Sequence, residues 1–257
     1  MKKIIAIIMV VALAVVGCAA LAACATPQET LQVYTNAGFA PFEYVNTKGE
    51  VVGVDIDIMN YIGKELGYKV IINDIDFDQI LKEVQGNKLA VGAAGMSKRE
   101  DRDAVALASK VYATSVQYVI APNGTFADNA VVTLEQLLAA AAKIGIQAGT
   151  TGQYLVEDYI EEVKGTSTTV EYTNAIVASK DIGSTVNAVV IDKLPAQSIA
   201  SADSKLSCWA IDAEPESYVL YFNKDAGELV TKVNAILEKM ITDGTINQYI
   251  VNHSTNN

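Results

Sequence analysis

Short apolar runs alternate with amphipathic stretches along most of the chain. The runs have the length and the Val and Ile content of buried strands. They predict strands over residues 32–35, 69–73, 90–94, 115–121, 143–147, 168–172, 188–191 and 218–223. The amphipathic stretches predict helices over residues 55–66, 78–85, 134–142, 152–163, 194–200 and 228–243. This alternation is typical of α/β proteins with largely parallel sheets.

A turn separates two such α/β sets. Residues 122–124 read Pro-Asn-Gly, which combines a fixed proline φ with residues that tolerate left-handed backbone. A second series of apolar runs and amphipathic stretches follows this turn. We therefore expect two lobes, with their junction near residues 117–123.

The beginning of the chain has the layout of a secretory signal peptide. Lys2 and Lys3 precede an apolar stretch over residues 4–16, and small residues follow. The alternative is a transmembrane anchor, because residues 4–23 are long enough to span a bilayer. Both interpretations place the folded part outside the cytoplasm, tethered to a membrane.

A second feature of the same region is the sequence Leu-Ala-Ala-Cys at residues 21–24. It resembles the bacterial lipobox, which predicts removal of residues 1–23 and lipidation of Cys24. A weaker copy ends at Cys18, so the sequence leaves two cleavage points open. The expected product is a membrane-anchored extracytoplasmic lipoprotein.

The composition narrows the possible functions. Removal of residues 1–23 leaves 234 of the 257 residues and takes away Lys2 and Lys3, which changes the net charge from −11 to −13. Two lobes of about 100 residues each fit this length. The acidic balance argues against nucleic-acid binding. Cys208 is then the only cysteine besides Cys24, so we expect no internal disulfide.

Several familiar catalytic and metal sites are excluded. His253, the one histidine, lies in a polar C-terminal tail, so a Ser-His-Asp triad would need that tail to fold back. Residues 74–85 imitate a calcium loop, but Gln79 and Gln85 stand where Gly and Glu are needed. The Gly-rich residues 145–152 lack the Gly-Lys pair of a nucleotide-binding P-loop.

The strongest candidate site follows the apolar run at residues 91–94. The segment 95–102 reads Gly-Met-Ser-Lys-Arg-Glu-Asp-Arg, which indicates a strand that passes into a helix. Gly95 permits close approach of a ligand, and the unpaired N–H groups of the helix start favour an anion. Arg102, about one turn into the helix, can meet a carboxylate with two hydrogen bonds. The alternative is an ordinary turn with a surface arginine.

Two further strand-to-helix junctions point to the same edge of a sheet. Residues 147–152 offer free N–H groups and hydroxyls, and Asp192 ends the apolar strand just before a helix. Ligands of open α/β sheets bind at the carboxyl ends of strands. Arg102 and the helix starts suit a carboxylate and Asp192 suits an ammonium, which predicts a zwitterionic ligand. For Asp192 alone, helix N-capping is the alternative.

Several separated motifs occur in one consistent order. They are Tyr-Thr-Asn-Ala-Gly-Phe-Ala-Pro-Phe-Glu-Tyr at residues 34–44, Val-Gly-Val-Asp-Ile-Asp at 52–57, Gly-Thr-Thr-Gly at 149–152, Ile-Asp-Lys-Leu-Pro-Ala at 191–196 and Asp-Gly-Thr at 243–245. From about residue 31 to residue 251 the chain resembles the extracytoplasmic amino-acid-binding proteins of ABC importers, solute-binding protein family 3.

This resemblance implies the type II periplasmic-binding-protein fold, with two α/β lobes of mainly parallel sheets joined by a two-strand hinge. Lobe 1 is expected over residues 29–118 and 219–257, and lobe 2 over residues 119–218. The hinge is expected near residues 117–121 and 218–223. The implied function is capture of a free amino acid by hinge closure and delivery to a membrane permease. The resemblance implies a monomer without catalysis, cofactor or metal.

The resemblance also implies ligand contacts. The matching positions are Asn36, Phe39, Phe77, Gly95, Ser97, Arg102, Thr150, Thr151 and Asp192. Gly95, Ser97 and Arg102 would hold the ligand carboxylate. Thr150 or Thr151 would assist from the second lobe.

The other matching positions would recognise the rest of the ligand. Asp192 would take the ammonium, and Phe39 and Phe77 would sandwich the side chain unless they are plain core residues. Asn36 would lie near the amino group or side chain. Because Asn36 is uncharged, it argues mildly against a strongly cationic ligand.

The chain departs from the family pattern after Ser97. Lys98 and Arg99 replace an apolar residue and a helix-capping threonine, so we expect Ser97 to cap the helix instead. Arg99 is expected in solvent or at the cleft mouth. If Arg99 pointed inward, it would favour an acidic ligand.

Two other functions remain open on this fold. Some relatives became dehydratases, an activity that needs a general acid in the cleft. Glu43 and Asp78 are nearby acids, but the sequence shows no sign that either has a perturbed pKa. The chain could also be the ligand-sensing subunit of a membrane receptor. The sequence favours the transport receptor and does not identify the amino acid.

Overall fold

The structure, a computed structural model, describes residues 28–255. The predicted signal peptide over residues 1–23 and the predicted lipidation site Cys24 lie outside the described residues. Within residues 28–255, no helix combines the length and the apolar character needed to cross a bilayer.

Strands and helices alternate along the described chain. The strands are β1 (Thr30–Thr35), β2 (Tyr44–Val45), β3 (Val51–Val52), β4 (Lys69–Asp74), β5 (Ala90–Gly92), β6 (Leu107–Ala108), β7 (Ala113–Ser115), β8 (Gln117–Pro122), β9 (Val131–Val132), β10 (Lys143–Gln147), β11 (Thr168–Tyr172), β12 (Ala188–Asp192), β13 (Leu206–Ile211), β14 (Glu216–Tyr218) and β15 (Tyr221–Phe222). The helices are α1 (Val54–Leu66), α2 (Ile80–Gly86), α3 (Glu100–Val105), α4 (Leu134–Ala140), α5 (Thr151–Glu162), α6 (Ala175–Lys180), α7 (Lys193–Ala202), α8 (Gly227–Thr242) and α9 (Thr245–Thr255). A 3-10 helix over Phe77–Gln79 directly precedes α2.

Two mixed sheets form the centres of two lobes. The first sheet has the order β4-β1-β5-β15-β6, with β1 parallel to β4 and β5 and with β15 antiparallel to both neighbours. The second has the order β11-β10-β12-β8-β13-β9, with β10 parallel to β11 and β12 and with β8 antiparallel to its neighbours. Because parallel strands end at one edge, the loops after β1, β5, β10 and β12 meet between the lobes.

The chain passes between the two sheets twice. The strands β7 and β14 form a separate antiparallel pair, with Ala113 opposite Tyr218 and Ser115 opposite Glu216. After β7 the chain enters β8 of the second sheet, and after β14 it enters β15 of the first. The expected lobe limit between residues 118 and 119 divides β8.

Regular spacing of apolar residues builds the core of each lobe. In β1 the alternate residues Leu31 and Val33 are fully buried, as the two-residue period of a strand requires. In α1 the residues Ile58 and Ile62, one turn apart, face the same core, and Leu237 of α8 joins them. The second lobe has its own core, which includes Val119, Ile144, Ile146, Val190 and Trp209.

Most of the predicted elements are present, with ends shifted by a few residues. The sequence analysis missed helices α6 and α9, strand β13 and the two-residue strands β2, β3, β6 and β9. Strand β13, which reads Leu-Ser-Cys-Trp-Ala-Ile, mixes small and large residues and has only two fully buried positions. Its position in the sheet depends on pairing with β8, which local sequence does not reveal.

The interpretation of His253 as part of a polar tail is wrong. Helix α9 continues to Thr255, and His253 lies within it. The Nε2 atom of His253 is 2.9 Å from Asp57 Oδ2, and Nδ1 is 3.0 Å from the Tyr44 hydroxyl. The helix is mostly polar because only a narrow face, which includes the buried Ile246, contacts the lobe.

A substitution at Gly53 tests how α1 is positioned. Gly53 has a φ of 140°, and a Cβ atom there would lie 2.1 Å from the Phe42 carbonyl oxygen. We expect Gly53→Ala to lower the free energy of unfolding by about 3 kcal/mol or more, from strained backbone and steric overlap. Urea unfolding measures this change. Gly86→Ala is the matched control, because a Cβ atom at Gly86 would have nothing within 4 Å of it. Similar losses in both variants would contradict the prediction.

Candidate functional site

A small cavity lies between the two sheets, where the loops after β1, β5, β10 and β12 meet. Its lining contains every residue that the sequence analysis assigned to the ligand, together with three others. The lining residues are Asn36, Phe39, Glu43, Phe77, Ala94, Gly95, Ser97, Arg102, Gln147, Thr150, Thr151 and Asp192. Residues from both lobes therefore face one enclosed space.

The loop after β5 has a fixed shape. Gly95 has a φ of 53°, and its N–H donates a 2.8 Å hydrogen bond to Asp55 Oδ2. A Cβ atom at Gly95 would lie 2.6 Å from Cε1 of Phe39. Glycine at this position thus permits both the left-handed backbone and the close approach of the aromatic ring.

Arg102 presents its guanidinium to both lobes. The side chain is only 4% exposed although it follows the first turn of α3. Its Nη1 donates to the Ser97 carbonyl oxygen at 2.8 Å, and its Nη2 donates to the Gly149 carbonyl oxygen of the second lobe at 2.9 Å. The ring of Phe77 lies 5.3 Å from the guanidinium carbon. The alternative of a surface arginine is therefore wrong, because Arg102 is a buried cation.

Asp192 also lines the cavity, at the end of β12. Its carboxylate accepts hydrogen bonds from the Tyr218 hydroxyl at 2.5 Å and from Gln117 Nε2 at 3.1 Å. It occupies the N-cap position of α7, but its side chain makes no capping hydrogen bond. Burial, and then repulsion from Glu216, raise the pKa of Asp192 to about 7, while its hydrogen bonds oppose that rise.

Thr150 and Thr151 have different roles. The Thr150 hydroxyl accepts from the Gln153 N–H at the start of α5 and donates to the Gln147 carbonyl oxygen at 2.8 Å. Its polar capacity is therefore used within the second lobe. The Thr151 hydroxyl instead donates at 2.7 Å to Glu216 Oε2 in the cleft. Of the two threonines, Thr151 is the one that presents its hydroxyl toward the first lobe.

Glu216 is a cleft residue that the sequence analysis missed. It lies on the crossing strand β14, and its carboxylate accepts hydrogen bonds from Ser97 Oγ, Thr151 Oγ1 and Gln117 Nε2. The prediction that Ser97 caps the following helix is wrong, because the hydroxyl of Ser97 donates to Glu216. The N-cap position belongs to Arg99, whose side chain makes no capping bond.

Glu43 was noted in the sequence only as a nearby acid, but the structure shows a strongly perturbed group. It is fully buried, and neither carboxyl oxygen has a hydrogen-bond partner within the described residues. Burial, followed by repulsion from Asp55 and Asp192, raises its pKa well above the ordinary value. Nothing in the sequence indicates the burial of Glu43, because this burial arises from packing between distant segments.

Asn36 connects the two lobes through its amide. Its Nδ2 donates to the Ile75 carbonyl oxygen at 2.7 Å, and its Oδ1 accepts from Gln147 Nε2 of the second lobe at 3.0 Å. Together with the bond from Arg102 to Gly149, this contact shows that the lobes are closed on each other.

Arg99 lies at the mouth of the cleft and not in the central cavity. Its guanidinium carbon is 3.9 Å from the ring centre of Tyr154 on α5, in the other lobe. Its Nε donates to Asp101 Oδ1 at 2.8 Å. Arg99 thus forms a contact across the cleft mouth, so it gives no support to an acidic ligand.

Two acidic cavities adjoin the central one. One shares Asn36 with it and the other shares Phe77, and each is lined by residues of both lobes. Within residues 28–255, their linings contain five acids and no basic side chain: Asp74, Asp76, Asp78, Glu83 and Glu171. These five acids are exposed to solvent, so the surface next to the central cavity is acidic.

The amino-acid sequence matches a known family. Residues 31–254 match the bacterial extracellular solute-binding proteins, family 3. The chain belongs to this family. It is 25% identical over 227 residues to the putative ABC transporter arginine-binding protein 2 of Escherichia coli K12, a match that covers 86% of this chain and 89% of that protein.

Solved structures of solute-binding proteins share the fold. The amino acid ABC transporter substrate-binding protein AbpA of Streptococcus pneumoniae, bound to L-arginine, matches with a TM-score of 0.80 and 26% identity over 88% of this chain and 95% of that chain. The ancestral amino acid-binding protein AncCDT-1, a precursor of cyclohexadienyl dehydratase, matches with a TM-score of 0.77 and 25% identity over 87% and 95%. The predicted family and α/β fold are thereby confirmed.

The contact between Arg99 and Tyr154 predicts a measurable effect on closure of this solute-binding protein. A cation over an aromatic ring at an exposed site is worth about 0.5–1 kcal/mol, which is about two- to fivefold in an equilibrium constant. We expect Arg99→Gln and Tyr154→Leu each to shift the protein toward the open form by that factor. Fluorescence energy transfer between dyes on the two lobes measures the shift.

Tyr154→Phe is the matched control for this experiment. It keeps the ring and removes only the hydroxyl, so the parental distribution of open and closed forms should remain. A loss of closure in Tyr154→Phe equal to that in Tyr154→Leu would show that the hydroxyl, and not the stacking, holds the cleft mouth.

Proposed function

We propose that this protein is the extracytoplasmic receptor of an ABC importer and that it closes its two lobes around a free cationic amino acid. The crossing strands β7 and β14 serve as the hinge. The closed form is the one that the membrane permease recognises. The chain is exported, and Cys24 carries the lipid that tethers it to the membrane.

The observation that carries this proposal is the opposition of charge across one cavity. The buried guanidinium of Arg102 and the hydroxyls of Ser97 and Thr151 suit a carboxylate. The buried carboxyl of Asp192, in the lining of the same cavity, suits an ammonium. A free amino acid carries both groups on one carbon, so it satisfies both sides when the lobes close.

The surroundings of the central cavity support a cationic side chain. Phe39 and Phe77 offer apolar walls to its methylene groups. Within residues 28–255, every charged residue that lines the two cavities adjoining at Asn36 and Phe77 is an acid, which attracts a cation and repels an anion. Similarity to a protein named as arginine-binding and to a protein solved with L-arginine bound agrees with this selectivity. The neutral charge of Asn36, which argued mildly for the opposite, is outweighed by these acids.

Buried Glu43 favours a second candidate function, that of a dehydratase. A carboxyl whose pKa is raised well above its ordinary value is the kind of group that acts as a general acid. Ultraviolet absorbance during incubation with a cyclohexadienyl substrate tests this activity. Turnover that is lost in Glu43→Gln would support it. We propose binding without turnover, because the named relatives are binding proteins.

A ligand screen tests the receptor function. We expect L-arginine and L-lysine to raise the melting temperature, because a ligand at a hundredfold excess over its Kd stabilises by about 2.7 kcal/mol. L-glutamate and L-aspartate should give no shift. Arg102→Ala and Asp192→Ala should each weaken binding by about 2–5 kcal/mol in calorimetry, since each leaves a buried partner unsatisfied. Parental affinity in either variant would refute the site, and stabilisation by acidic amino acids would refute the selectivity.

The raised pKa of Asp192 predicts pH-dependent binding. In the free protein this carboxyl favours its protonated form, so its contribution to the free energy of unfolding falls as pH rises from 3.8 to about 7. A ligand ammonium needs the deprotonated form, so binding releases a proton below pH 7. Affinity should therefore fall as pH decreases below about 7, by up to tenfold per unit. Calorimetry in buffers of different ionisation enthalpy measures both effects, and constant affinity from pH 5.5 to 8.5 would contradict the prediction.

A further inference from the structure

The carboxylate of Glu216 accepts hydrogen bonds from hydroxyl groups that would also suit the carboxylate of a ligand. One carboxyl oxygen accepts from Ser97 Oγ of the first lobe and from Thr151 Oγ1 of the second. The other oxygen accepts at 2.8 Å from Gln117 Nε2, which belongs to the first residue of β8. A single carboxylate thus bonds side chains from both lobes at once, as a ligand carboxylate is expected to do.

Backbone pairing fixes Glu216 next to this site. Ser97 forms a bridge with Tyr218, and the Lys98 N–H donates to the Ser217 carbonyl oxygen at 2.8 Å. The Val219 N–H likewise donates to the Met96 carbonyl oxygen at 3.0 Å. Because the segment after β5 is paired with the segment around β14, the backbone holds the side chain of Glu216 beside Ser97.

The charges around Glu216 oppose a second carboxylate in the same place. Glu216 already raises the pKa of Asp192 by repulsion, and both carboxyls accept hydrogen bonds from Gln117 Nε2. Arg102 is near enough to feel the charge of Glu216, but its guanidinium donates to the carbonyls of Ser97 and Gly149 and not to this carboxylate. A ligand carboxylate that arrives at Ser97 and Thr151 must therefore displace that of Glu216.

We propose that Glu216 is an internal substitute for the ligand carboxylate, which holds the lobes together without ligand and competes with the ligand for Ser97 and Thr151. This inference rests on the proposed function, because it assumes that those hydroxyls receive a ligand carboxylate. Competition of this kind lowers the apparent affinity by the fraction of molecules in which the site is taken. Glu216 then sets the affinity of the receptor without any contact with the bound ligand.

Glu216→Ala tests the proposal by the sign of its effect. With the competitor removed, L-arginine should bind about tenfold more tightly in calorimetry. The ligand-free variant should also be more open, which small-angle scattering detects as a larger radius of gyration. Acetate at millimolar concentration should restore the compact form of this variant, because it returns a carboxylate to Ser97 and Thr151. Glu216→Gln keeps an acceptor without the charge and should change both quantities in the same direction by less.

Glu214→Ala is the matched control, because Glu214 is an exposed acid two residues away. It removes the same charge from the same segment and should leave affinity and shape unchanged. Weaker arginine binding in both Glu216 variants, with parental compactness, would overturn the proposal and make Glu216 a direct contact of the ligand. If the parental protein binds no amino acid at all, the proposed function itself fails, whereas the scattering result on the ligand-free variants still tests the substitute.

Discussion

The burial of the Arg102 guanidinium is the constraint on which the site depends. A cation removed from water needs hydrogen bonds for its donors and a nearby negative charge, or its desolvation destabilises the closed form. Here the donors meet the carbonyl oxygens of Ser97 and Gly149, one from each lobe. These carbonyl oxygens accept the hydrogen bonds of the guanidinium, but they carry no full negative charge and do not neutralise it. The closed cleft consequently retains a positive centre that favours any carboxylate able to reach it.

The acids of the cleft differ in how much negative charge they supply near Arg102. Burial raises the pKa of Asp192 and of Glu43, so these two acids resist ionisation more than exposed carboxyls do. Glu216 accepts three hydrogen bonds from side chains of the cleft. The charge of the site therefore depends on which carboxyls are protonated, and a ligand ammonium changes that balance because it stabilises the ionised form of Asp192.

The sequence predicted the part of the site that local pattern encodes. Gly95, Arg102 and Asp192 all follow apolar runs at strand-to-helix junctions, and parallel strands bring such junctions to one edge. The roles of Glu216 and Glu43 were not predicted, because they depend on contacts between segments far apart in the chain. The pairing of residues 96–98 with residues 217–219, which places Glu216 beside Ser97, leaves no periodic signal in either segment. The fold followed the same division, since helices with a broad apolar face such as α1 and α8 were predicted, whereas α9, of which only Ile246 is buried, and pairing-dependent β13 were missed.

The position of Asn36 shows why a single residue type is a poor guide to ligand charge. Its amide donates one hydrogen bond to the Ile75 carbonyl oxygen and accepts one from Gln147 Nε2, so one N–H and one lone pair are left for a ligand. It stands between the central cavity and an acidic one that includes Asp74 and Asp76. Asp74 and Asp76 are themselves exposed to solvent, so their field is screened and acts over a short distance. Under the proposed function, a side chain that passes Asn36 has to place its cation close to these acids, so its length and its charge decide selectivity together.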